Sequence, residues 1–104
     1  MHEVKAQMFR VLGHPARVRI LELLRDGERS VGALRLELEL DSGGTSQHLA
    51  ALRRIGLVTS RREGTSVYYR IDDPRVFDLL ADARDIISRQ LAEQRSLLDA
   101  LEAE

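Results

Sequence analysis

A mainly α-helical domain with one small β-hairpin, in the order α-α-α-α-β-β-α, is the fold class that this 104-residue sequence predicts. Three observations predict it. Apolar residues recur at steps of three and four in five separate segments, two β-branched and aromatic runs flank a Gly-containing turn at residues 63–65, and Gly or Pro punctuates nearly every junction.

The first helix spans Val4 to Leu12, with Val4, Met8, Val11 and Leu12 at helical spacing, and Gly13 stops it. In "HPARVRILELLRDGE", Pro15 suits the first position of a second helix. Val18, Leu21 and Leu24 share one face there, Ile20 and Leu23 widen it, and Gly27 ends it. "SVGALRLELEL" predicts a short third helix capped by Ser30, although Leu34-Leu36-Leu38-Leu40 also alternates as a strand would. Asp41 or Ser42 caps a fourth helix, "GGTSQHLAALRRI", with Thr45, Leu49, Leu52 and Ile55 inward and Gly56 at its end. "LVTSRR" and "SVYYRI" then read as two strands joined by Glu63-Gly64-Thr65. Asp73-Pro74 opens a last helix, in which Val76, Leu80, Ala83, Ile87, Gln90, Gln94, Leu97 and Leu101 form a coiled-coil-like seam with two polar interruptions.

Composition narrows the function classes. At 43% apolar and 32% charged the chain suits a single globular domain over residues 1–104, near the size at which self-association is expected to add stability. No apolar run reaches a membrane span and the start carries charges throughout, so no membrane partner and a cytoplasmic location are expected. The absence of cysteine removes disulfides, thiolate metal sites and thiol nucleophiles together. The net charge of -1 hides an asymmetry: residues 1–71 hold 12 Lys/Arg against 8 Asp/Glu, residues 72–104 only 4 against 9. The basic part can meet a polyanion and the acidic end cannot.

The third and fourth helices, joined by a tight turn near Glu39-Leu40-Asp41, have the layout of a helix-turn-helix. Opposite the apolar side of the second of them lie Ser42, Gly43, Ser46 and Gln47, with Arg53 and Arg54 further along. Small hydroxyl and amide groups at a helix N-terminus reach base edges in the major groove, and arginines beyond them pair with phosphates. Taken alone, this is also the pattern of any amphipathic helix. The hairpin tips the balance: Arg61, Arg62 and Arg70 sit on or beside a ribbon whose tip is Glu63-Gly64-Thr65-Ser66, which makes a wing able to lie along the backbone or in the minor groove. The fold expected is thus a winged helix-turn-helix. Gly43 and Gly44 sit where glycine costs a helix about 1 kcal/mol against alanine. They resemble a phosphate loop, but the lysine and the preceding strand are missing, so clearance for a phosphate or base edge is the better reading.

Over most of its length the chain resembles the ArsR/SmtB family of winged-helix transcriptional repressors. The likeness is carried by "LGHPARVRILELL" (12–24), "TSQHLAALRRIGLV" (45–58) and "SRREGTSVYYRI" (60–71) in that order. It implies a homodimer packed through the first and last helices, binding an imperfect inverted repeat in double-stranded DNA and letting go when an inducer binds. The residues implied in DNA contact are Ser42, Gly43, Gly44, Ser46, Gln47, His48, Arg53, Arg54, Arg61, Arg62, Gly64 and Thr65. Those expected at the dimer interface are Val4, Met8, Val76, Leu80, Ala83, Ile87, Leu97 and Leu101, with residues of about 74–103 as the dimerisation helix. Independently of the resemblance, a last helix of about 30 residues has too little domain beneath it to bury its seam.

The resemblance fails at the inducer. Metal-sensing members use a Cys-x-Cys-type pair on the third helix, or Asp-x-His followed by His-x-x-Glu/His on the last. Here the third helix offers Val31, Gly32, Ala33 and Leu34, and the last has Asp82 and Asp85 but no histidine. No cofactor is identified and neither metal site carries over; acidic sites shared with a dimer mate stay open, and the effector is unassigned among small molecule, metal and protein. His2 reads as a solvated terminal residue, His14 as a cap for the second helix, and His48 as a packing or phosphate-contact residue. No nucleophile elbow or metal-ligand set occurs, so no enzyme is expected. A sequence-specific repressor is the function expected. Its rivals are an activator, a regulator whose sensing is done by a companion protein, and a winged-helix module that binds protein.

Overall fold

The computed structural model describes residues 1–103. Five helices and three short strands follow in the order α1 (His2–Leu12), α2 (Pro15–Leu23), β1 (Arg29–Ser30), α3 (Val31–Leu38), α4 (Ser42–Arg54), β2 (Thr59–Glu63), β3 (Ser66–Arg70) and α5 (Arg75–Glu102). A 3-10 turn, Leu24–Asp26, extends α2.

The caps are those the sequence encodes. His14 accepts the Ala16 N–H at 3.1 Å through Nδ1, with Pro15 at the first helical position. Ser30 Oγ accepts the Ala33 N–H at 3.1 Å, and Asp41 Oδ1 accepts the Gly44 N–H at 2.6 Å. Each satisfies one of the donors that a helix start leaves orphaned. Segment 31–38 is helical rather than extended: Leu34 is buried while Leu36 is 75% exposed, opposite sides that a strand's alternation would have kept together.

α3 stops at Glu39, whose φ of 55° is left-handed. The Leu40 N–H donates to the Arg35 carbonyl and the Glu39 N–H to the Leu36 carbonyl, a Schellman closure that makes the sharp turn into α4.

Ile20 and Leu21 of α2, Leu34 of α3, Leu49 and Leu52 of α4 and Val58 before β2 are fully buried together. Each such side chain contributes about 1.5–3 kcal/mol of burial. Thr45 is the one fully buried polar residue among the described residues, and its hydroxyl donates to the Asp41 carbonyl at 3.0 Å. The α4 face toward the core is therefore the predicted one.

Two differences from the sequence reading concern the sheet. The first hairpin strand begins at Thr59 rather than Leu57, because Leu57 and Val58 are taken up by the core. A third strand, β1, pairs with β3 through Arg29↔Tyr69 and Ser30↔Tyr68, giving the order β1-β3-β2. Two residues are too few for an alternation to be visible in sequence.

α5 corrects one expected interface residue. Val76 is only 7% exposed and belongs to the chain's own core, against which Leu80 also packs. The first turns of α5, through Leu80, lie on the body. From Ala81 onward every described residue of α5 is exposed. At 1.5 Å per residue this 28-residue helix is about 42 Å long, and it gives the molecule its 65 Å long axis.

Candidate nucleic-acid interface

With Thr45, Leu49 and Leu52 held in the core, the 3.6-residue period turns Ser42, Gly43, Ser46, Gln47, Ala50, Arg53 and Arg54 to solvent on α4. Ala50 is absent from the sequence reading, yet it lies on the same stripe. Its methyl group is the kind of contact a thymine methyl takes. The Gly44 amide is occupied by the Asp41 carboxylate, while the two glycines differ in what they tolerate. A Cβ at Gly44 would lie 3.0 Å from Asp41 Oδ1, crowding the cap. A Cβ at Gly43 would meet nothing nearer than 3.8 Å, so nothing inside the protein calls for a glycine there.

The basic residues expected at DNA fall into three settings. Arg53 leans across to β2 and donates to Ser60 Oγ at 3.3 Å, tying the end of α4 to the wing. Arg54 lines a cleft of about 250 Å³ with Gln7, Arg10 and Arg17, so three arginines from α1, α2 and α4 converge there. Of these, sequence reasoning singled out Arg54 alone.

On the wing, residue alternation separates Arg61 from Arg62. Arg61 shares its face with Tyr68, over whose ring its guanidinium sits at 4.6 Å, and pairs with Glu28 at 2.6 Å and Glu63 at 2.7 Å. These partners raise the Arg61 pKa still further, and the Arg61 hydrogen bond holds the Glu28 carboxyl below its ordinary value. Arg70 is held by Asp72 at 2.7 Å. Arg62, on the other face opposite Val67, has no acidic partner among the described residues. Of the wing arginines, Arg62 is the one whose charge is uncompensated. Gly64, with φ 62°, and Thr65 form the exposed two-residue turn, with glycine at the first central position as a type II′ hairpin turn needs.

His48 is half-buried between α4 and α2. Its Nδ1 accepts from Arg17 Nε at 3.1 Å, and its ring lies 4.3 Å from that of His14. Burial pushes its pKa below the ordinary value, with the charges of His14 and Arg17 adding to the effect. The packing half of the expectation for His48 is thus what the structure shows. Arg17 also donates to the Val11 carbonyl, so this small network fastens α4 to α2 and the end of α1. The pairing of His14 with His48, 34 residues apart, left no signal in sequence.

Among the described residues no group of three His, Cys, Asp or Glu side chains is placed to hold a metal ion, and no helix is long and apolar enough to cross a membrane.

A family model described as "Bacterial regulatory protein, arsR family" matches residues 14–60. The HTH-type transcriptional regulator Rv0081 of Mycobacterium tuberculosis is 43% identical over 104 residues, 99% of this chain and 91% of that protein. The chain belongs to the ArsR family. The crystal structure of Rv0081 superposes on this ArsR-family chain with a TM-score of 0.83 at 45% identity, covering 89% of this chain and 94% of that one. The Mycobacterium bovis domain Mb0332, described as a homodimeric winged helix-turn-helix DNA-binding domain, gives 0.76 at 36% identity over 86% of this chain and 82% of that one. The Transcriptional activator HlyU of Vibrio cholerae is 42% identical over 69 residues, 66% of this chain and 64% of that protein. The ArsR-family chain is therefore a transcriptional regulator with a winged helix-turn-helix DNA-binding domain, from a family of regulators rather than enzymes.

Proposed function

We propose that this ArsR-family chain is a homodimeric repressor that reads an inverted-repeat operator with the outward stripe of α4 and grips the flanking backbone with its wing. The observation that carries this reading is the division of α4. Thr45, Leu49 and Leu52 anchor one side in the core, and the other presents small polar groups at the N-terminus and arginines at the far end. Ser42, Ser46 and Gln47 are the base readers, with Gly43 giving the helix N-terminus close approach while Gly44 makes room for the Asp41 cap. Arg53, Arg54 and Arg62 hold phosphates, and the Gly64-Thr65 tip enters the neighbouring groove. Arg61, already tied to two carboxylates, acts by stiffening the wing.

The dimer rests on exposed apolar surface. Val4 and Phe9 on α1 and Ile86, Ile87, Leu91, Leu97, Leu98 and Leu101 on α5 are all more than half exposed, and exposed apolar surface of this kind marks an interaction site. The related Mb0332 domain is described as homodimeric. Two α4 helices brought together by α5 would sit in major grooves about one helical turn apart or a little more.

Repression is the sign proposed, because a protein whose basic face meets DNA and whose apolar ridge meets its twin acts most simply by occluding a promoter. The relative named as an activator, HlyU, favours the second reading, activation. Selection of bound fragments from the source genome tests the proposal. The expected result is an inverted repeat bound with affinity that falls steeply with salt. A reporter driven by such a fragment in a strain lacking the protein should rise for a repressor and fall for an activator. Salt-insensitive binding, or no enriched fragment, would refute the DNA reading.

A further inference from the structure

α5 meets the DNA-reading body chiefly along α2, and between these helices lies a cleft of about 560 Å³, the size of small-molecule pockets in general. Its lining has two characters. Val18 of α2 and Phe77, Leu80 and Ile87 of α5 supply apolar surface. Around them stand Arg19 from α2, Arg25 from the 3-10 turn that extends it and Arg84 from α5, against the single acid Glu22. None of the three arginines has an acidic partner within ion-pair distance among the described residues. They border apolar surface shared by α2 and α5, the second of which carries more acids than bases. Leu80 and Ile87 are also expected on the dimer seam, so the cleft runs into the proposed interface.

We propose that the α2–α5 cleft is the effector site of this regulator, and that it takes a small organic anion with an apolar body, such as a carboxylate on a hydrocarbon chain. The apolar part lies along Phe77 and Leu80, and the anionic head is held by Arg84 and Arg19, guanidinium being suited to bidentate capture of a carboxylate. This site needs neither cysteine, which the chain lacks, nor histidine. Its position gives it leverage: α2 is fastened to α4 by Arg17 and His48, and α5 carries the partner. A ligand wedged between α2 and α5 resets the angle between dimer helix and reading head, and with it the spacing of the two α4 helices.

This inference rests on the proposed function, and its test is read first without DNA so that the two can fail separately. 1-Anilinonaphthalene-8-sulfonate, itself an aromatic anion, is titrated into the full-length protein. Saturable fluorescence with one site per protomer is expected, displaced by decanoate and not by decyltrimethylammonium. Arg84→Glu should weaken probe binding about tenfold or more, the loss of a charge-assisted pair, while Arg84→Lys keeps most of it. Circular dichroism of each variant separates loss of the site from loss of the fold. Saturating decanoate should then lower affinity for a selected operator fragment. Non-saturable fluorescence, displacement by the cation as good as by decanoate, or unchanged binding in a folded Arg84→Glu protein would each overturn the site. No probe binding at all would mean that the partner protomer fills the cleft, and would overturn it too. Unchanged operator affinity with decanoate bound would overturn its role as effector site.

Discussion

Gly43 offers a substitution whose effects on stability and on function should have opposite signs. It lies in the first turn of α4, exposed, with no atom within 3.8 Å of where a Cβ would stand. Gly43→Ala therefore costs no packing and removes chain entropy from the unfolded state, a gain of up to about 1 kcal/mol. For a domain of this size that raises Tm by roughly 4–8 °C. Gly43→Leu should be near-neutral for the fold, yet it puts a branched side chain where the helix N-terminus must approach DNA. Its operator affinity should fall at least about tenfold, which is 1.4 kcal/mol. Gly44→Ala is the internal control. Its Cβ would stand 3.0 Å from the capping carboxylate, so it should forfeit part of the roughly 1 kcal/mol that such a cap contributes. Thermal melts by circular dichroism and fluorescence anisotropy on a labelled operator read the two quantities. Operator affinity unchanged in Gly43→Leu would refute the clearance argument, and a lowered Tm in Gly43→Ala would show that the glycine serves the fold instead.

Three further outcomes are expected. Glu39 is left-handed without being glycine, so Glu39→Gly should raise stability by roughly 0.5–1 kcal/mol, the relieved strain less the chain entropy that glycine adds to the unfolded state; an unchanged denaturant midpoint would contradict this. His48 is held neutral by burial beside His14 and Arg17, so below its ordinary value of 6.5 the unfolded chain binds more protons than the folded one. Tm should therefore drop as pH falls below about 6.5, and drop less in His48→Gln; equal profiles would remove His48 as the cause. Leu97 and Leu101 lie on the part of α5 whose described residues are all exposed, so Leu97→Glu with Leu101→Glu should shift sedimentation toward monomer while leaving the body folded. A dimer that persists would place the interface elsewhere.

What the sequence made legible follows the range of the interaction involved. Caps and stops act within four residues, so Ser30, Asp41, Pro15 and the glycines could be read directly and stand where they were expected. The α4 register was legible because one buried threonine and two leucines fix which side faces out. β1 was not, since two residues carry no period and its pairing partner lies 40 residues away. The binding of Arg61 by Glu28 was hidden for the same reason, and with it the difference between Arg61 and Arg62. Val76 fitted the seam's spacing, but spacing cannot say where the body ends and the free helix begins. The assignments of α4 and the wing to DNA were motivated by residue chemistry and the family likeness; the structure adds which of those side chains are uncompensated.

The central claim is that the outward stripe of α4 reads bases while the wing holds backbone. The most direct measurement is the affinity of wild type, Gln47→Ala and Arg62→Ala for a complete set of single-base variants of the selected operator. Gln47→Ala should lose discrimination at one base pair in each half-site, worth about 1–3 kcal/mol, and leave the other positions as they were. Arg62→Ala should weaken all variants alike and make the salt slope shallower by about one. A Gln47→Ala profile parallel to wild type at every position would contradict the account.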